Sequence, residues 1–137
     1  MIGVVSHDAG GAEVISSYIV QQGLHDSCLY SLAGPAIKIF KTKLNCVQNN
    51  TFQLVVDSCD WILCGTSWES DLERKAIEYS RHSKKKSVVF LEHWVNYKER
   101  FILNKVEYFP DELWVGDKYA EDLANEIFPN MLVKLVD

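Results

Sequence analysis

The chain has 137 residues, enough to bury roughly two-thirds of the surface its unfolded form exposes, so a single core needs neither disulfides nor a metal to hold it. A composition of 47% hydrophobic and 24% charged residues with only three prolines excludes the disordered class. The 19 acidic and 14 basic residues leave a net charge of −5, which argues against general affinity for nucleic acid or an anionic membrane surface.

Cys28, Cys46, Cys59 and Cys64 include no CxxC pair, and three of them lie in or beside apolar runs, so free buried thiols are expected rather than disulfides or a zinc site. The N-terminus lacks a secretory-signal pattern, and no apolar run approaches the ~18 residues that span a bilayer. A cytoplasmic location without a transmembrane segment is the expectation.

In chain order, the β-branched run IGVVS (2–6) predicts a strand. The loop HDAGGAE follows, and Val14, Ile15, Tyr18 and Ile19 then fall at the spacing of one helix face. Gly23 stands where a helix C-terminal glycine belongs, and CLYSLA (28–33) predicts a second strand closed by the breaker pair Gly34-Pro35. Ala36 to Lys43 predicts a short helix with Ile37 and Phe40 inward. Asn49-Asn50 marks a turn, and TFQLVVDSC, readable as strand or helix, is assigned as helix.

WILC (61–64) predicts a core strand that stops at Gly65, and a helix is expected from about Glu69 to His82. Its end carries Arg81, Lys84, Lys85 and Lys86, which suits the negative end of the helix dipole. SVVFLEHW predicts another buried strand, and NYKERF a short helix or loop. ELWVGD then reads as a strand, Tyr119, Leu123 and Ile127 as the inward face of a last helix stopped by Pro129, and MLVKLV as a final strand. Alternating strands and helices, without repeats or linkers, predict one three-layer α/β domain over residues 1–137, Rossmann-like, with a mostly parallel sheet.

In such a sheet ligands bind beyond the carboxyl ends of the strands. The residues that follow the apolar runs are Ser6, His7, Asp8, Gly10 and Gly11; Gly34; Gly65, Thr66, Ser67, Trp68 and Glu69; Glu92, His93 and Asn96; and Gly116 with Asp117. Glycines in HDAGG allow backbone N–H groups to approach a ligand at a helix N-terminus, although the loop is neither GxGxxG nor GxxxxGK[ST]. The competing role for Asp8 is a helix cap. Its charge disfavours a phosphate and favours a hydroxyl-rich ligand part at this loop, with any diphosphate elsewhere.

Thr66-x-x-Glu69 and Ser70-x-x-Glu73 both match the capping box, and they cannot cap one helix start together, so at least one glutamate is left for another task. Trp68 beside hydroxyls and a carboxylate suits sugar or base binding, with burial in the core as the alternative. His93 and His7, each at a strand end, suit a phosphate donor or a general base. Asp8, Glu69 and His93 are therefore the catalytic candidates, and His7, Gly10, Gly11, Gly65, Thr66, Ser67, Trp68, Glu92 and Asn96 the ligand-binding ones. No zinc-spaced cluster, HExxH or nucleophile elbow is present, so no metal is assigned.

The segments GTSWESDLERKAIE, SVVFLEHWVNYKERF and PDELWVGDKYAEDLANEIFP together resemble the N-terminal half of GT-B-type glycosyltransferase-like proteins of bacterial surface-polysaccharide pathways, a group that also resembles the UDP-N-acetylglucosamine 2-epimerases. The resemblance runs from Asp60 onward, and the first 45 residues match in layout only. It implies an acceptor-side domain whose Asp8–Gly11, Thr66–Glu69 and Glu92–Asn96 loops face a cleft. A second Rossmann-like domain, in cis or in trans, would close that cleft. A sugar or sugar nucleotide is then the implied small-molecule partner and substrate, with no tightly bound cofactor. The chain stops where the linker to that domain belongs, so activity from these residues alone is not expected.

Two rival readings stand beside it. GTxxE after a strand is similar to the nucleoside deoxyribosyltransferases, which would make Glu69 the nucleophile of an N-glycosidic enzyme. A non-catalytic binding or assembly module, including a homo-oligomer, would instead use Trp68, Trp94 and Trp114 as exposed interface residues.

Overall fold

The first strand, β1 (Ile2–Ser6), is flanked on both sides in a parallel sheet, which is why its apolar run shows no polar alternation. In the computed structural model, which describes residues 1–45, 47–67, 70–91 and 101–136, β1 leads into α1 (Ala9–Gln22), a 3-10 turn (His25–Ser27) and β2 (Cys28–Leu32). Then come α2 (Pro35–Leu44), α3 (Phe52–Ser58), β3 (Trp61–Cys64), α4 (Leu72–His82) and β4 (Lys86–Leu91). The chain continues through β5 (Ile102–Leu103), β6 (Val106–Glu107), β7 (Glu112–Val115), α5 (Lys118–Ile127) and β8 (Leu132–Leu135).

The main sheet has the order β2-β1-β3-β4-β7-β8, and every neighbouring pair in it is parallel. A seventh position is sketched at the β2 edge. There Asn49 forms an isolated parallel bridge to Tyr30, and Asn50 N–H donates to the Tyr30 carbonyl at 2.9 Å. The Asn49 side-chain amide continues the ladder by donating to Leu32 O at 2.7 Å and accepting from Leu32 N–H at 2.8 Å. With this stub counted as the third strand, the order becomes 3-2-1-4-5-6-7, the 3-2-1-4-5-6 arrangement of doubly wound sheets with one strand added at the far edge, and its topological switch point lies between β1 and β3. The fold is thus α/β, three-layered and Rossmann-like.

Pleating divides the core between the two faces. Val4, Leu63, Phe90 and Trp114 pack under α1 and α2 with Ala12, Ile15, Ile19, Ala36 and Phe40. Val5, Cys64, Val89 and Leu113 point the other way, towards Val55 and Val56 of α3, Ala76 and Ile77 of α4, and Ala120 and Ala124 of α5. Gly23 ends α1 in the left-handed region, at φ 65°, and its N–H returns to the last turn. Cys28, Cys59 and Cys64 are free and buried. Among the described residues no helix is long and apolar enough to cross a membrane.

Several local expectations change. α4 begins at Leu72 rather than near Glu69. Ile37 is 38% exposed because the inward stripe of α2 is Ala36, Phe40 and Leu44. Tyr119 is 62% exposed, since α5 turns Ala120 and Ala124 to the sheet and leaves Leu123 and Ile127 at its margin. Trp114 is only 6% exposed and packs edge-on against Tyr18, so it is a core residue and supplies no exposed interface aromatic. The β5–β6 hairpin was not anticipated. It turns through Asn104 and Lys105, both at positive φ (51° and 66°), without the glycine that usually advertises such a turn.

Candidate functional site at the switch point

β1 and β3 run side by side, Val5 opposite Cys64, and Gly65 N–H still reaches Val5 O at 3.3 Å before the two chains part. From there β1 feeds α1 on one face while β3 leads to α4 on the other. The crevice between them is lined by His7, Asp8 and Gly11 from the first loop and by Gly65 and Ser67 from the second.

Asp8 occupies the N-cap position of α1, yet its side chain makes no capping hydrogen bond. Its Oδ1 instead accepts from the Ser67 hydroxyl at 2.8 Å and lies 2.6 Å from His7 Nδ1. The Ser67 hydroxyl in turn accepts from Ser70 N–H at 3.0 Å. This relay stitches the β1–α1 loop to the β3–α4 loop. Because the carboxylate is turned towards its neighbours, the first N–H groups of α1, at Ala9, Gly10 and Gly11, lack the side-chain cap that helix starts usually carry. That end can therefore take a ligand oxygen.

Glycines set the spacing. A Cβ on Gly65 would stand 3.4 Å from Gly11 Cα and 3.3 Å from Glu73 Oε2, so the two loops approach through bare backbone. Gly34, at φ 55°, lies against the imidazole, where a Cβ would fall 2.6 Å from His7 Nε2. His7 is thereby held between Gly34 and Asp8, with about one-fifth of its side chain exposed. The Asp8 contact favours the tautomer with a proton on Nδ1, which leaves Nε2 as the acceptor.

Beneath this cluster sits Glu73, in the first turn of α4 and 2% exposed. Its Oε2 accepts from His7 N–H at 3.3 Å, while Oε1 has no hydrogen-bond partner among the described residues. Burial pushes its carboxyl up to about 8, and the nearby Asp8 charge adds to the effect. Arg74 does not neutralise it by contact, because its guanidinium donates to Ser70 O and Asp71 Oδ1. Cys64, fully enclosed on the same side, has its thiol held well above the usual range by burial.

The Ser70-x-x-Glu73 capping box does not take the expected form, and Glu69 of the other lies outside the described residues. Ser70 Oγ accepts from Leu72 N–H, Asp71 takes the N-cap position of α4, and Glu73 reaches across to His7 instead of back to Ser70. Asp117, another strand-end residue, is a helix cap, since its carboxylate accepts from Ala120 N–H at 2.7 Å.

Of the candidate residues, the structure brings together His7, Asp8, Gly11, Gly65 and Ser67, with Gly10 in the adjoining first turn of α1. Thr66 lies in the same loop but is 2% exposed. Trp68, Glu69, Glu92, His93 and Asn96 lie outside the described residues. Sequence reasoning left open whether Glu69 or Glu73 is the cap and did not place Glu73 among the site residues. The helical spacing of Glu73, Ala76, Ile77 and Ser80 marks it as inward-facing, and that signal could have found it.

Among the described residues no three His, Cys, Asp or Glu side chains are grouped to hold a metal ion. Compared with protein-family models, with curated proteins and with solved structures, the chain matches none of them.

Proposed function

We propose that the chain is the acceptor-side domain of a sugar-nucleotide-dependent, glycosyltransferase-like protein of bacterial surface-polysaccharide synthesis, with a sugar recognised in the β1/β3 crevice. The observation that carries this reading is the His7–Asp8–Ser67 cluster at the switch point of a Rossmann-ordered sheet. A carboxylate and an imidazole suit sugar hydroxyls, which donate to the first and yield a proton to the second. The stub strand at Asn49 also supports the domain type implied by the resemblance.

In the transfer step, His7 Nε2 takes the proton of an acceptor hydroxyl as its oxygen bonds to the anomeric carbon. The bond from that carbon to the nucleoside diphosphate breaks, and the diphosphate leaves with the electron pair. Asp8 holds the imidazole in the required tautomer and stabilises the imidazolium that forms. A second Rossmann-like domain, in cis or in trans, supplies the greater part of the donor site.

The test is a titration of labelled protein with UDP-N-acetylglucosamine followed by NMR. Shifts should gather at residues 7–11, 34 and 65–67. Shifts confined to Lys84–Ser87 and Pro110–Asp111, at the opposite edge of the sheet, would sink the proposal.

A further inference from the structure

A buried carboxyl with one unpartnered oxygen is costly, and Glu73 keeps it where the two crevice loops meet. Two features tie it to the site rather than to the core. Oε2 holds the backbone of His7, the residue that carries the imidazole of the cluster. The bare Cα of Gly65 leaves the room that the same oxygen occupies. The groups around it offset a negative charge only in part. The N–H groups of His7 and of Glu73 itself and the charge of Arg74, whose guanidinium donates to Ser70 and Asp71, favour the ionised form, but burial and the Asp8 charge from the β1–α1 loop outweigh them, and Cys64 faces it from β3.

We propose that Glu73 is a positioning residue that carries a proton in the binding-competent state of the crevice, so that a diphosphate-bearing ligand enters with Glu73 neutral and is expelled when it ionises. This rests on the sugar-nucleotide reading for the identity of the ligand, but its electrostatic core applies to any diphosphate. With Glu73 neutral the cluster presents one carboxylate, Asp8, which is engaged by Ser67 and His7 and makes no capping hydrogen bond to the start of α1, so a diphosphate can lie there, whereas the sequence alone placed any diphosphate elsewhere. With Glu73 ionised, a second and water-deprived negative charge lies beneath the uncapped start of α1 and cancels its attraction for an anion. The carboxyl is pushed up to about 8, so the protonated form dominates at neutral pH and is the minor form by about pH 9.

The linkage gives a definite expectation. Affinity for the ligand should be nearly level up to pH 7 and weaken about tenfold between pH 7 and pH 9, following the protonated fraction of a group titrating at about 8. Glu73→Gln, which keeps a neutral group with an acceptor for His7 N–H, should bind as the wild type does at pH 7 and stay level to pH 9. In the free wild-type protein the His7 amide resonance should titrate with a midpoint near 8, and in Glu73→Gln that inflection should vanish. This reading requires no ligand and no variant to succeed beforehand.

The measurements use UDP-N-acetylglucosamine, whose diphosphate diester keeps its charge over this range, and inorganic pyrophosphate in parallel. A His7 amide without an inflection between pH 6 and 9, or equal loss of affinity in wild type and Glu73→Gln, overturns the proposal. Binding of pyrophosphate without the sugar nucleotide overturns the sugar-nucleotide reading and leaves the proton linkage standing. Binding of neither at pH 7 overturns both.

Discussion

The hydroxyl of Ser67 donates to Asp8 Oδ1 at 2.8 Å, across 59 residues of chain, and is a side-chain link between the β1–α1 and β3–α4 loops. Since Ser67 also accepts from Ser70 N–H, one oxygen sets the position of Asp8 and the approach to α4 together. Ser67→Ala removes both bonds at a residue only 1% exposed. The expected cost is about 1–3 kcal/mol, the usual penalty for leaving buried polar groups unpaired. Urea unfolding of the variant measures it, and an unchanged midpoint would show that the link contributes nothing.

Gly34 and Gly23 separate two reasons for a glycine. Both have positive φ, at 55° and 65°, but a Cβ at Gly23 meets nothing within 4 Å while one at Gly34 falls on His7. Gly23→Ala should cost only the backbone strain, about 1 kcal/mol. Gly34→Ala should cost more and displace the imidazole, visible as altered ring resonances of His7. Equal unfolding midpoints with an undisturbed His7 would contradict this account.

Much of the architecture is legible in the chain because buried parallel strands are continuous apolar runs, as IGVVS and WILC are, and because Gly23 and Gly34-Pro35 punctuate the elements between them. The Asn49 stub is not legible, since a side-chain amide standing in for strand backbone leaves no periodic trace. The meeting of the candidate residues is legible only in part for a similar reason. Asp8 and Ser67 carry ordinary turn and cap chemistry in sequence, and only the meeting of two distant loops turns them into partners. Glu73 matches a capping box locally, while the fold directs it to His7.

Stability should depend on pH through Glu73. Its folded-state value is raised, from 4.5 to about 8, chiefly by burial, so its contribution is fully present below 4.5 and is lost as pH rises towards 8 and beyond. The largest loss this shift allows is ~5 kcal/mol at 1.36 kcal/mol per unit. Wild-type protein should therefore unfold at lower urea at pH 9 than at pH 5, and Glu73→Gln should flatten that difference. A wild-type protein equally stable at both, or a variant with the same slope, would remove Glu73 as the cause.

Asn49 tests whether the stub strand matters to the β2 edge. Its amide both donates to and accepts from Leu32, a pairing that only a group with one donor and one acceptor in this geometry can complete. Asn49→Ala opens both bonds at an exposed edge where water can replace them, so a loss of about 1 kcal/mol is expected. Asn49→Asp keeps the acceptor for Leu32 N–H but sets a carboxylate oxygen against Leu32 O, and it should cost at least as much as alanine despite being nearly isosteric. Hydrogen exchange at the Leu32 amide provides the local readout. It should accelerate in Asn49→Ala more than in Asn49→Asp, even though the aspartate is the less stable protein, because only the alanine leaves that N–H without a protein acceptor. The same exchange rate in wild type and both variants would mean that the Asn49 amide does not protect the edge.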